Sequence, residues 1–262
     1  MKEVEIVING KKIKAKQDQN ILQVASSNGI WIPSLCYHES LSPYGACRLC
    51  IVEVELNGEK KIVTSCTTKI EKGMKINTDT AEIRQIRKAL LELLLARCPN
   101  VKIVRDIAQA CGVYDTPYPL ENNFCILCGL CVRVCREIVG ANAISFSKRG
   151  PNREVVTPFL KASEDCIGCG SCVYICPTGV ITMQDIKDTI RFYPDGKDNM
   201  GPHRIMKNWK TTLPLKRCKQ CGNPFATQRQ LEFFAKNFKV REDFFEICPN
   251  CREKAVSPKK IK

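Results

Sequence analysis

Histidine is scarce in this chain of 262 residues, which contains only His38 and His203. His203 lies in a basic stretch and belongs to no recognisable catalytic constellation. The pair Gly168-x-Gly170 is no nucleotide-binding loop, because it lies inside a run of cysteines. No acid, base and nucleophile can be grouped, so we expect the chain itself to carry out no bond-making catalysis.

Long apolar runs are missing as well. No segment approaches the roughly 20 apolar residues that cross a bilayer. Residues 1–5 open into strand-like alternation rather than a signal peptide. The hydrophobic fraction of 44% is typical of a soluble globular protein. We therefore expect no membrane span, and the length predicts one to three domains.

Cysteine, in contrast, is abundant: the chain has 18, and sixteen of them fall into four sets of four. Thiolate is the ligand that soft and borderline metals prefer. Two sets share the spacing C-x2-C-x2-C-x3-C: Cys125, Cys128, Cys131 and Cys135, and then Cys166, Cys169, Cys172 and Cys176, followed by Pro177. Zinc knuckles or buried thiols are the alternative interpretation, but they do not account for two matching copies.

This repeated spacing is typical of bacterial ferredoxins with two 4Fe–4S clusters, in which the fourth cysteine of each run binds the other cluster. By that rule we predict one cluster held by Cys125, Cys128, Cys131 and Cys176, and another held by Cys166, Cys169, Cys172 and Cys135. Such ligands must stay reduced, which predicts a cytoplasmic location. The two runs therefore predict a carrier of electrons.

Strand and helix signals surround the third set of cysteines. Residues 4–16 alternate around Asn9-Gly10 and residues 52–63 alternate around Asn57-Gly58, which is a strong signal for two hairpins. Asn20 is suited to cap a short helix that runs through Ser27 and stops at Gly29.

The third set itself is Cys36, Cys47, Cys50 and Cys66, spaced C-x10-C-x2-C-x15-C, which is wider than the plant-type pattern. With the hairpins and the helix it indicates a β-grasp 2Fe–2S ferredoxin domain; four unrelated thiols are the alternative. Gly45 suits a loop whose amides approach cluster sulfurs closely. His38, near Cys36, either forms a hydrogen bond near the cluster or is an ordinary surface or packing residue.

Residues 81–97 have the periodicity of an amphipathic helix that ends at Cys98-Pro99. We predict a buried apolar face made of Ile83, Ile86, Leu90, Leu93 and Leu94, opposite Arg84, Arg87 and Lys88. The apolar stripe is interpreted as core packing. Cys98 and Cys111 are the two thiols outside the four sets.

The C-terminal third begins with residues 194–216, which are rich in proline, glycine, asparagine and lysine. This composition predicts a linker or an extended arm that lies across a partner. The fourth set follows, as Cys218-x2-Cys221 and Cys248-x2-Cys251. Two such knuckles predict a closed, structural zinc site. A rubredoxin-like iron site is the alternative, because both metals accept four sulfurs in a tetrahedron.

The formal charge of +14 counts every cysteine as neutral. Four thiolate-bound metal sites of charge −2 each would reduce it to about +6. The excess is concentrated in residues 197–262, which hold 16 Lys and Arg against 6 Asp and Glu. A basic tail is compatible with nucleic-acid binding, with a solvated face or with docking to an acidic partner subunit. Nucleic acid is disfavoured, because the tail has no pattern of stacking aromatics.

Three stretches resemble a known family: residues 32–38 (IPSLCYH), 45–53 (GACRLCIVE) and 121–135 (ENNFCILCGLCVRVC). Residues 1–195 resemble the N-terminal part of the large iron–sulfur subunit of bacterial NADH dehydrogenase (complex I). They also resemble the diaphorase iron–sulfur subunit of NAD-linked hydrogenases and formate dehydrogenases. The resemblance implies a 2Fe–2S cluster followed by 4Fe–4S clusters that exchange electrons with a flavin- and NAD-binding subunit.

One departure from the family concerns an additional 4Fe–4S cluster, which the family binds through one His and three Cys after the helix. Here Cys98-Pro99 stands at the His-Pro position, and residues 101–105 lack the paired cysteines. Cys111 is a candidate match for the last ligand only, so we predict that this cluster is absent. The C-terminal zinc-like module is a second departure; it resembles small domains appended to hydrogenase-associated ferredoxins and favours a hydrogenase or electron-bifurcating complex over respiratory complex I.

We thus predict an α+β multi-module chain with a β-grasp 2Fe–2S ferredoxin domain, a helical segment, a bacterial-type 2×4Fe–4S ferredoxin domain and a zinc-ribbon-like module. The predicted boundaries are 1–80, 81–116 and 117–195 for the first three, then a basic arm at 196–216 and the zinc module at 217–262. The predicted function is a non-catalytic, cytoplasmic subunit that relays single electrons between the flavin partner and a further redox or hydrogenase-like subunit, with ferredoxin as another candidate partner. The alternatives are a free-standing polyferredoxin and an iron–sulfur nucleic-acid-binding protein.

Overall fold

The computed structural model describes residues 3–187, 201–239 and 241–256. The chain divides into two compact units. Unit 1 contains Met1–Arg133 and Cys176–Val180, and unit 2 contains Val134–Ile175 and Ile181–Lys262. Within the described ranges, no helix is both long and apolar enough to cross a bilayer.

Unit 1 contains a five-stranded sheet, ordered β2-β1-β5-β3-β4. Its elements are β1 (Glu3–Ile8), β2 (Lys11–Lys16), α1 (Ile21–Ser27), β3 (Ile51–Leu56), β4 (Glu59–Thr64), β5 (Lys75–Asn77), α2 (Ala81–Arg97), α3 (Lys102–Ala110) and the single turn α4 (Leu130–Arg133). Strands β1 and β5 are parallel, and the other pairs are antiparallel. The apolar face of α1 shares one core with the inward residues of β1–β3 and β5, which is the predicted β-grasp arrangement.

The two predicted hairpins are confirmed. Ile8 pairs with Lys11 and Leu56 pairs with Glu59, so each turn has two residues. Asn9 and Gly10 have φ angles of 49° and 81°, and Asn57 and Gly58 have 52° and 83°. Positive φ at both central positions matches the twist of the flanking strands, and asparagine followed by glycine adopts it at low cost.

Helix α1 is also confirmed, and a capping box holds its start. The Asn20 side chain accepts from the Gln23 amide at 2.8 Å, and the Gln23 side chain accepts from the Asn20 amide at 3.0 Å. Both amides belong to the first turn, which has no intrahelical acceptors. The capping box therefore fixes where α1 starts after the β1–β2 hairpin, and the chain continues from α1 towards Cys36.

Helix α2 has the predicted bounds, but the predicted buried face is wrong in part. The buried residues are Ile83, Arg87, Leu91, Leu95 and Ala96, whereas Ile86 and Leu93 are exposed. The helix is apolar on more than one side, so periodicity alone did not select the packed side. The packed side of α2 is the side that carries Arg87, because the Arg87 guanidinium donates to the carbonyls of Leu49 (3.1 Å), Ile51 (3.0 Å) and Thr78 (3.3 Å).

Unit 2 contains two small sheets. A hairpin pairs β6 (Ser145–Ser147) with β7 (Glu154–Val156), and four further strands are ordered β11-β10-β9-β8. The remaining elements are a π-helix (Val134–Val139), α5 (Ser171–Tyr174), β8 (Met183–Ile186), β9 (His203–Met206), β10 (Thr211–Arg217), β11 (Pro224–Thr227), α6 (Gln228–Phe238) and α7 (Pro249–Val256). The sheet joins residues on both sides of the predicted boundaries at 195 and 216.

The predicted arm at 196–216 differs from the structure over its described part. Residues 203–206 and 211–217 are paired strands, and Met206, Leu213 and Leu215 are buried. Thr211, Leu213 and Leu215 alternate with exposed residues, which is the period of a half-buried strand. The prolines and lysines between them conceal this period in the sequence. Residues 188–200, which include the start of the predicted arm, lie outside the described residues.

Candidate metal centres

Two loops of unit 1 carry the predicted 2Fe–2S set. Cys36, Cys47 and Cys50 precede β3, and Cys66 follows β4. The sulfurs form two hydrogen-bonded pairs, Cys36 with Cys47 and Cys50 with Cys66. The amide of Cys47 also donates to the Cys36 Sγ at 3.4 Å, and the amide of Leu35 donates to the Cys47 Sγ at 3.4 Å.

These contacts give the two thiols of each pair different pKa values. The hydrogen bond from Cys36 lowers the pKa of Cys47 to about 6, and the hydrogen bond from Cys66 lowers the pKa of Cys50 to about 7. The same bonds, with burial, raise the pKa of Cys36 and Cys66 above the ordinary thiol range. Within each pair one sulfur is therefore the more acidic, Cys47 in the first and Cys50 in the second. Four converging sulfurs with backbone N–H donors fit the donor set of a 2Fe–2S cluster.

Unit 1 also contains Cys125, Cys128, Cys131 and Cys176, the members of the first predicted 4Fe–4S set. Burial raises the pKa of Cys128 to about 11, and the backbone N–H of Leu130 opposes this shift. Burial likewise raises the pKa of Cys125, with the nearby Cys176 adding to it. The sequence places Cys176 more than 40 residues after Cys131, and in the structure Cys176 lies near enough to Cys125 and Cys128 to raise the pKa of both.

Unit 2 contains Cys135, Cys166, Cys169 and Cys172, the members of the second predicted 4Fe–4S set. All four cysteines line one cavity. The backbone amides of Ala143, Ile144 and Asn142 donate to Cys135, and the amide of Gly168 donates to Cys166. The indole Nε1 of Trp209 donates to the Cys172 Sγ at 3.4 Å. Four cysteines that face a common cavity, with amides aimed at the sulfurs, fit a 4Fe–4S cluster.

The loops of the two runs have the same backbone pattern. Leu127 and Gly129 have φ angles of 53° and 74°, and the matching Gly168 and Gly170 have 68° and 78°. Left-handed residues between the cysteines turn the chain so that successive amides approach the sulfurs.

Arg133 is a buried residue that the sequence reasoning did not single out. Its Nη1 donates to the Ser42 carbonyl and its Nη2 donates to the Cys36 carbonyl, both at 2.5 Å. Its guanidinium lies 5.0 Å from the ring centroid of Tyr44, and its Nε has no hydrogen-bond partner among the described residues. A charged residue two positions after Cys131, inside a ligand run, was the only signal for it in the sequence.

His38 contacts no sulfur among the described residues. Its side chain is exposed, and its Nδ1 accepts from the amide of Ser40 at 3.2 Å. His203 is buried, with Nδ1 2.9 Å from the Gly201 carbonyl oxygen. These positions favour packing and surface roles for both histidines.

Cys98 lies in an apolar cluster with Leu91, Val101 and Val104. Burial raises its pKa to about 11, and burial also raises the pKa of Cys111, which caps α3. Cys98 lies in this apolar cluster and Cys111 packs against it, which suits structural side chains.

The fourth set is compact: the sulfurs of Cys218, Cys221, Cys248 and Cys251 lie within 4.8 Å of one another. The Cys221 and Cys248 sulfurs are 3.8 Å apart, and the Cys248 amide donates to the Cys218 Sγ at 3.2 Å. That bond and further backbone amides lower the pKa of Cys218 to about 6. Four sulfurs around one ion at ~2.3 Å would lie roughly 3.8 Å apart, so the set fits a single tetrahedral ion.

Family profiles match most of the chain. A profile described as a 2Fe-2S iron-sulfur cluster binding domain matches residues 1–81. Two profiles described as 4Fe-4S dicluster domains match residues 124–180 and 165–225. These matches, with the sulfur arrangements above, establish 2Fe–2S and 4Fe–4S ferredoxin domains in the chain.

Curated relatives belong to multi-subunit oxidoreductases. The chain is 34% identical over 172 residues to the alpha subunit of the NADPH-Fe(3+) oxidoreductase of Geobacter sulfurreducens, matching 56% of the chain and 20% of that protein. It is 30% identical over 209 residues to the mitochondrial 78 kDa subunit of the NADH-ubiquinone oxidoreductase of Neurospora crassa, matching 70% of the chain and 28% of that protein. The chain thus spans less than a third of the length of these two relatives.

A third relative matches over most of its length. The chain is 32% identical over 178 residues to the gamma subunit of the NAD-reducing hydrogenase HoxS of Cupriavidus necator, which covers 58% of the chain and 74% of that relative. A crystal structure of an NAD+-reducing [NiFe]-hydrogenase in the H2-reduced state contains a chain with a TM-score of 0.51 and 28% identity, covering 59% of this chain and 75% of that chain. The chain therefore belongs to the family of iron–sulfur electron-transfer subunits that includes the HoxS gamma subunit of NAD-reducing hydrogenase and the 78 kDa subunit of NADH-ubiquinone oxidoreductase.

Proposed function

We propose that the chain relays single electrons within an NAD-linked oxidoreductase complex, between a flavin- and NAD-binding subunit and a further redox subunit. One observation supports this proposal: Cys135, Cys166, Cys169 and Cys172, which are up to 37 positions apart in the sequence, line a common cavity. The proposed ligands are Cys36, Cys47, Cys50 and Cys66 for a 2Fe–2S cluster, Cys125, Cys128, Cys131 and Cys176 for one 4Fe–4S cluster, and Cys135, Cys166, Cys169 and Cys172 for another.

Iron–sulfur clusters bound at these sites would supply one-electron carriers. The chain's own residues hold the thiolates in place and stabilise negative charge on them. Backbone amides donate hydrogen bonds to Cys125, Cys135 and Cys166, and the indole of Trp209 donates one to Cys172. Donors that favour the more negative, reduced form of a cluster raise its reduction potential.

The partner assignment rests on the relatives. The HoxS gamma subunit belongs to an NAD-reducing hydrogenase, which supports a flavin- and NAD-binding partner and a hydrogenase-like partner for this chain. Ferredoxin is a further candidate partner. Because thiolate ligands require a reducing environment, we also propose a cytoplasmic location.

We propose that the fourth set binds structural Zn²⁺. Three of its four cysteines are buried and only Cys221 is exposed, which is typical of a closed site without an open coordination position. A rubredoxin-like iron would fit the same sulfurs, so metal analysis of the purified protein decides between them. We further propose that residues 81–116 hold no cluster, because Cys98 packs among apolar side chains and Cys111 is the one other cysteine in this range.

Iron quantitation tests the proposal directly. Protein purified anaerobically should contain ten irons and one zinc per chain, and reduction with dithionite should produce paramagnetic signals of both cluster types. A content of fourteen irons would show that the cluster predicted to be absent is present. Colourless protein without these signals would refute the electron-transfer function altogether.

Gel filtration of native extract tests the assembly. We expect the chain to elute in a complex with a flavin-containing subunit. Elution as a stable monomer would favour the free-standing polyferredoxin. Retention on DNA or RNA that falls with salt and survives deletion of the N-terminal modules would favour the nucleic-acid-binding alternative.

A further inference from the structure

The four-stranded sheet and the C-terminal helices cover one of the proposed cluster sites. We call residues 201–239 and 241–256, which contain β9–β11, α6 and α7, the C-terminal cover. Trp209 lies in the connection between β9 and β10, is 4% exposed and donates its indole N–H to the Cys172 Sγ at 3.4 Å. Met206 and Trp209 line the same cavity as the four cysteines of unit 2.

The cover also binds the backbone of the cysteine loop. Arg204 donates to the Gly168 carbonyl at 2.7 Å, and the Thr227 hydroxyl donates to the Ile167 carbonyl. Arg229 donates to the carbonyls of Glu164 at 2.9 Å and Cys166 at 3.1 Å. Three side chains from three elements of the cover thus hold the segment between residues 164 and 168.

The cover packs closely against the cysteine loop at Gly168. A Cβ atom at Gly168 would lie 2.5 Å from the Leu213 Cδ1 and 2.9 Å from the Thr227 Cγ2. Leu213 belongs to β10 and Thr227 ends β11, so the sheet of the cover lies directly against the loop. Glycine allows this close approach because it has no Cβ atom.

The four-cysteine metal site lies at the far end of the same strand. Strand β10 begins at Thr211, two residues after Trp209, and ends at Arg217, immediately before Cys218. The Lys219 amide donates to the Glu246 carbonyl at 2.9 Å, and the Cys248 amide donates to the Cys218 Sγ at 3.2 Å. A metal ion bound by Cys218 and Cys248 would therefore fix the end of β10 relative to the C-terminal helix.

We propose that the C-terminal cover raises the reduction potential of the second 4Fe–4S cluster and shields that cluster from dioxygen. The Trp209 N–H bond to Cys172 raises the potential. Metal bound at the four cysteines of the cover keeps the cover folded. This proposal rests on the proposed assignment of Cys172 as a cluster ligand. Trp209 is a positioning residue, since it acts through the sulfur. An N–H donor favours the more negative charge of a reduced cluster, whereas the surrounding apolar side chains exclude solvent and disfavour that charge.

The first experiment replaces Trp209 by phenylalanine in the full-length, anaerobically loaded protein. W209F keeps most of the apolar volume and removes the donor. In redox titrations followed by electron paramagnetic resonance, we expect one 4Fe–4S signal to require a lower potential. At the wild-type midpoint its reduced-to-oxidised ratio should fall about tenfold. The 2Fe–2S signal and the other 4Fe–4S signal should not move.

Trp31 provides the matched control, because it is the chain's other tryptophan, is 58% exposed and lies in unit 1. W31F should titrate like the wild type at all three sites. If W209F also titrates like the wild type while holding ten irons, the tuning role is wrong. If wild-type protein itself holds fewer than ten irons, the proposed cluster assignment fails instead.

A second experiment does not depend on the folding of W209F. Cys221→Ser removes the exposed ligand of the metal site, and Cys111→Ser is its control outside the four sets. On exposure to air, we expect C221S to lose four irons several-fold faster than the wild type, and C111S to match the wild type. Equal rates for C221S and the wild type, once C221S is shown to lack its metal, would overturn the shielding role.

Discussion

The two cysteine runs share one spacing but have different surroundings. Cys125-Ile-Leu-Cys128-Gly-Leu-Cys131 and Cys166-Ile-Gly-Cys169-Gly-Ser-Cys172 match position by position, yet Leu127 in the first run corresponds to Gly168 in the second. Both residues have positive φ. Only Gly168 is pressed against a neighbouring sheet, so only there is a side chain excluded.

A second difference lies two residues after the third cysteine. Arg133 follows Cys131 and is 3% exposed, whereas Tyr174 follows Cys172 and is 79% exposed. Arg133 binds the carbonyls of Cys36 and Ser42 within unit 1, and the second run instead receives its donor from Trp209. The spacing thus specifies the type of cluster, and the neighbouring side chains differentiate the two sites.

The largest expected effect is the loss of a whole cluster. It tests whether the fourth cysteine of each run binds the cluster of the other run. Cys176→Ala should remove the cluster proposed for the first run, and Cys135→Ala the cluster proposed for the second. Each variant should retain about six of ten irons, as expected when one cubane is lost. In combination with W209F, the remaining 4Fe–4S signal should shift in C176A only. A shift in C135A would show that each run binds its own fourth cysteine.

The next effect separates Gly168 from Leu127. Gly168→Ala places a Cβ 2.5 Å from Leu213 at a φ of 68°, so we expect a loss of about 2–4 kcal/mol in stability. Leu127→Ala retains a β-carbon at a position that already accepts one, and should cost less than about 1.5 kcal/mol. Thermal unfolding of the loaded proteins measures both. Equal losses would mean that the cover does not press on the second run.

Arg133→Met should cost about 2–3 kcal/mol, because it removes two charge-assisted hydrogen bonds, one of them to the carbonyl of the buried Cys36. The loss of a buried positive charge should also lower the potential of the 2Fe–2S cluster, and Arg133→Lys should restore part of it. Tyr174→Val, at the matching exposed position, should stay within about 0.5 kcal/mol. Denaturant unfolding and redox titration provide the two measurements. If the potential of the 2Fe–2S cluster is unchanged in R133M, the charge of Arg133 does not contribute to the difference between the two runs.

The smallest expected effect concerns the ion pairs of the cover. Lys216 and Lys219 donate to Glu246 and hold the pKa of its carboxyl below the ordinary value. A lowered pKa stabilises the fold above the unfolded-state pKa of ~4.3, and the contribution disappears as the pH falls through the folded-state value. Glu246→Gln should therefore slightly lower the melting temperature at neutral pH and converge with the wild type in acid. The exposed Glu232→Gln should differ from the wild type at neither pH.

Short-range signals predicted the parts of the fold that depend on neighbouring residues. Asn9-Gly10 and Asn57-Gly58 form hairpins because their backbone preference is local, and Asn20 caps α1 through Gln23 three residues away. The strands at 203–206 and 211–217 were missed because their pairing joins segments whose proline and lysine content resembles a linker. The buried face of α2 was misassigned because three carbonyls from elsewhere in unit 1 receive Arg87.

The sequence by itself determined the iron–sulfur chemistry of this protein, because thiolate spacing along the chain restricts which type of cluster a cysteine run can hold. Only the tertiary structure decided what surrounds each centre. Arg133 near Cys36, and Trp209 against Cys172, meet residues that lie 97 and 37 positions away. Such contacts arise from packing between distant segments, which no local pattern of residues records.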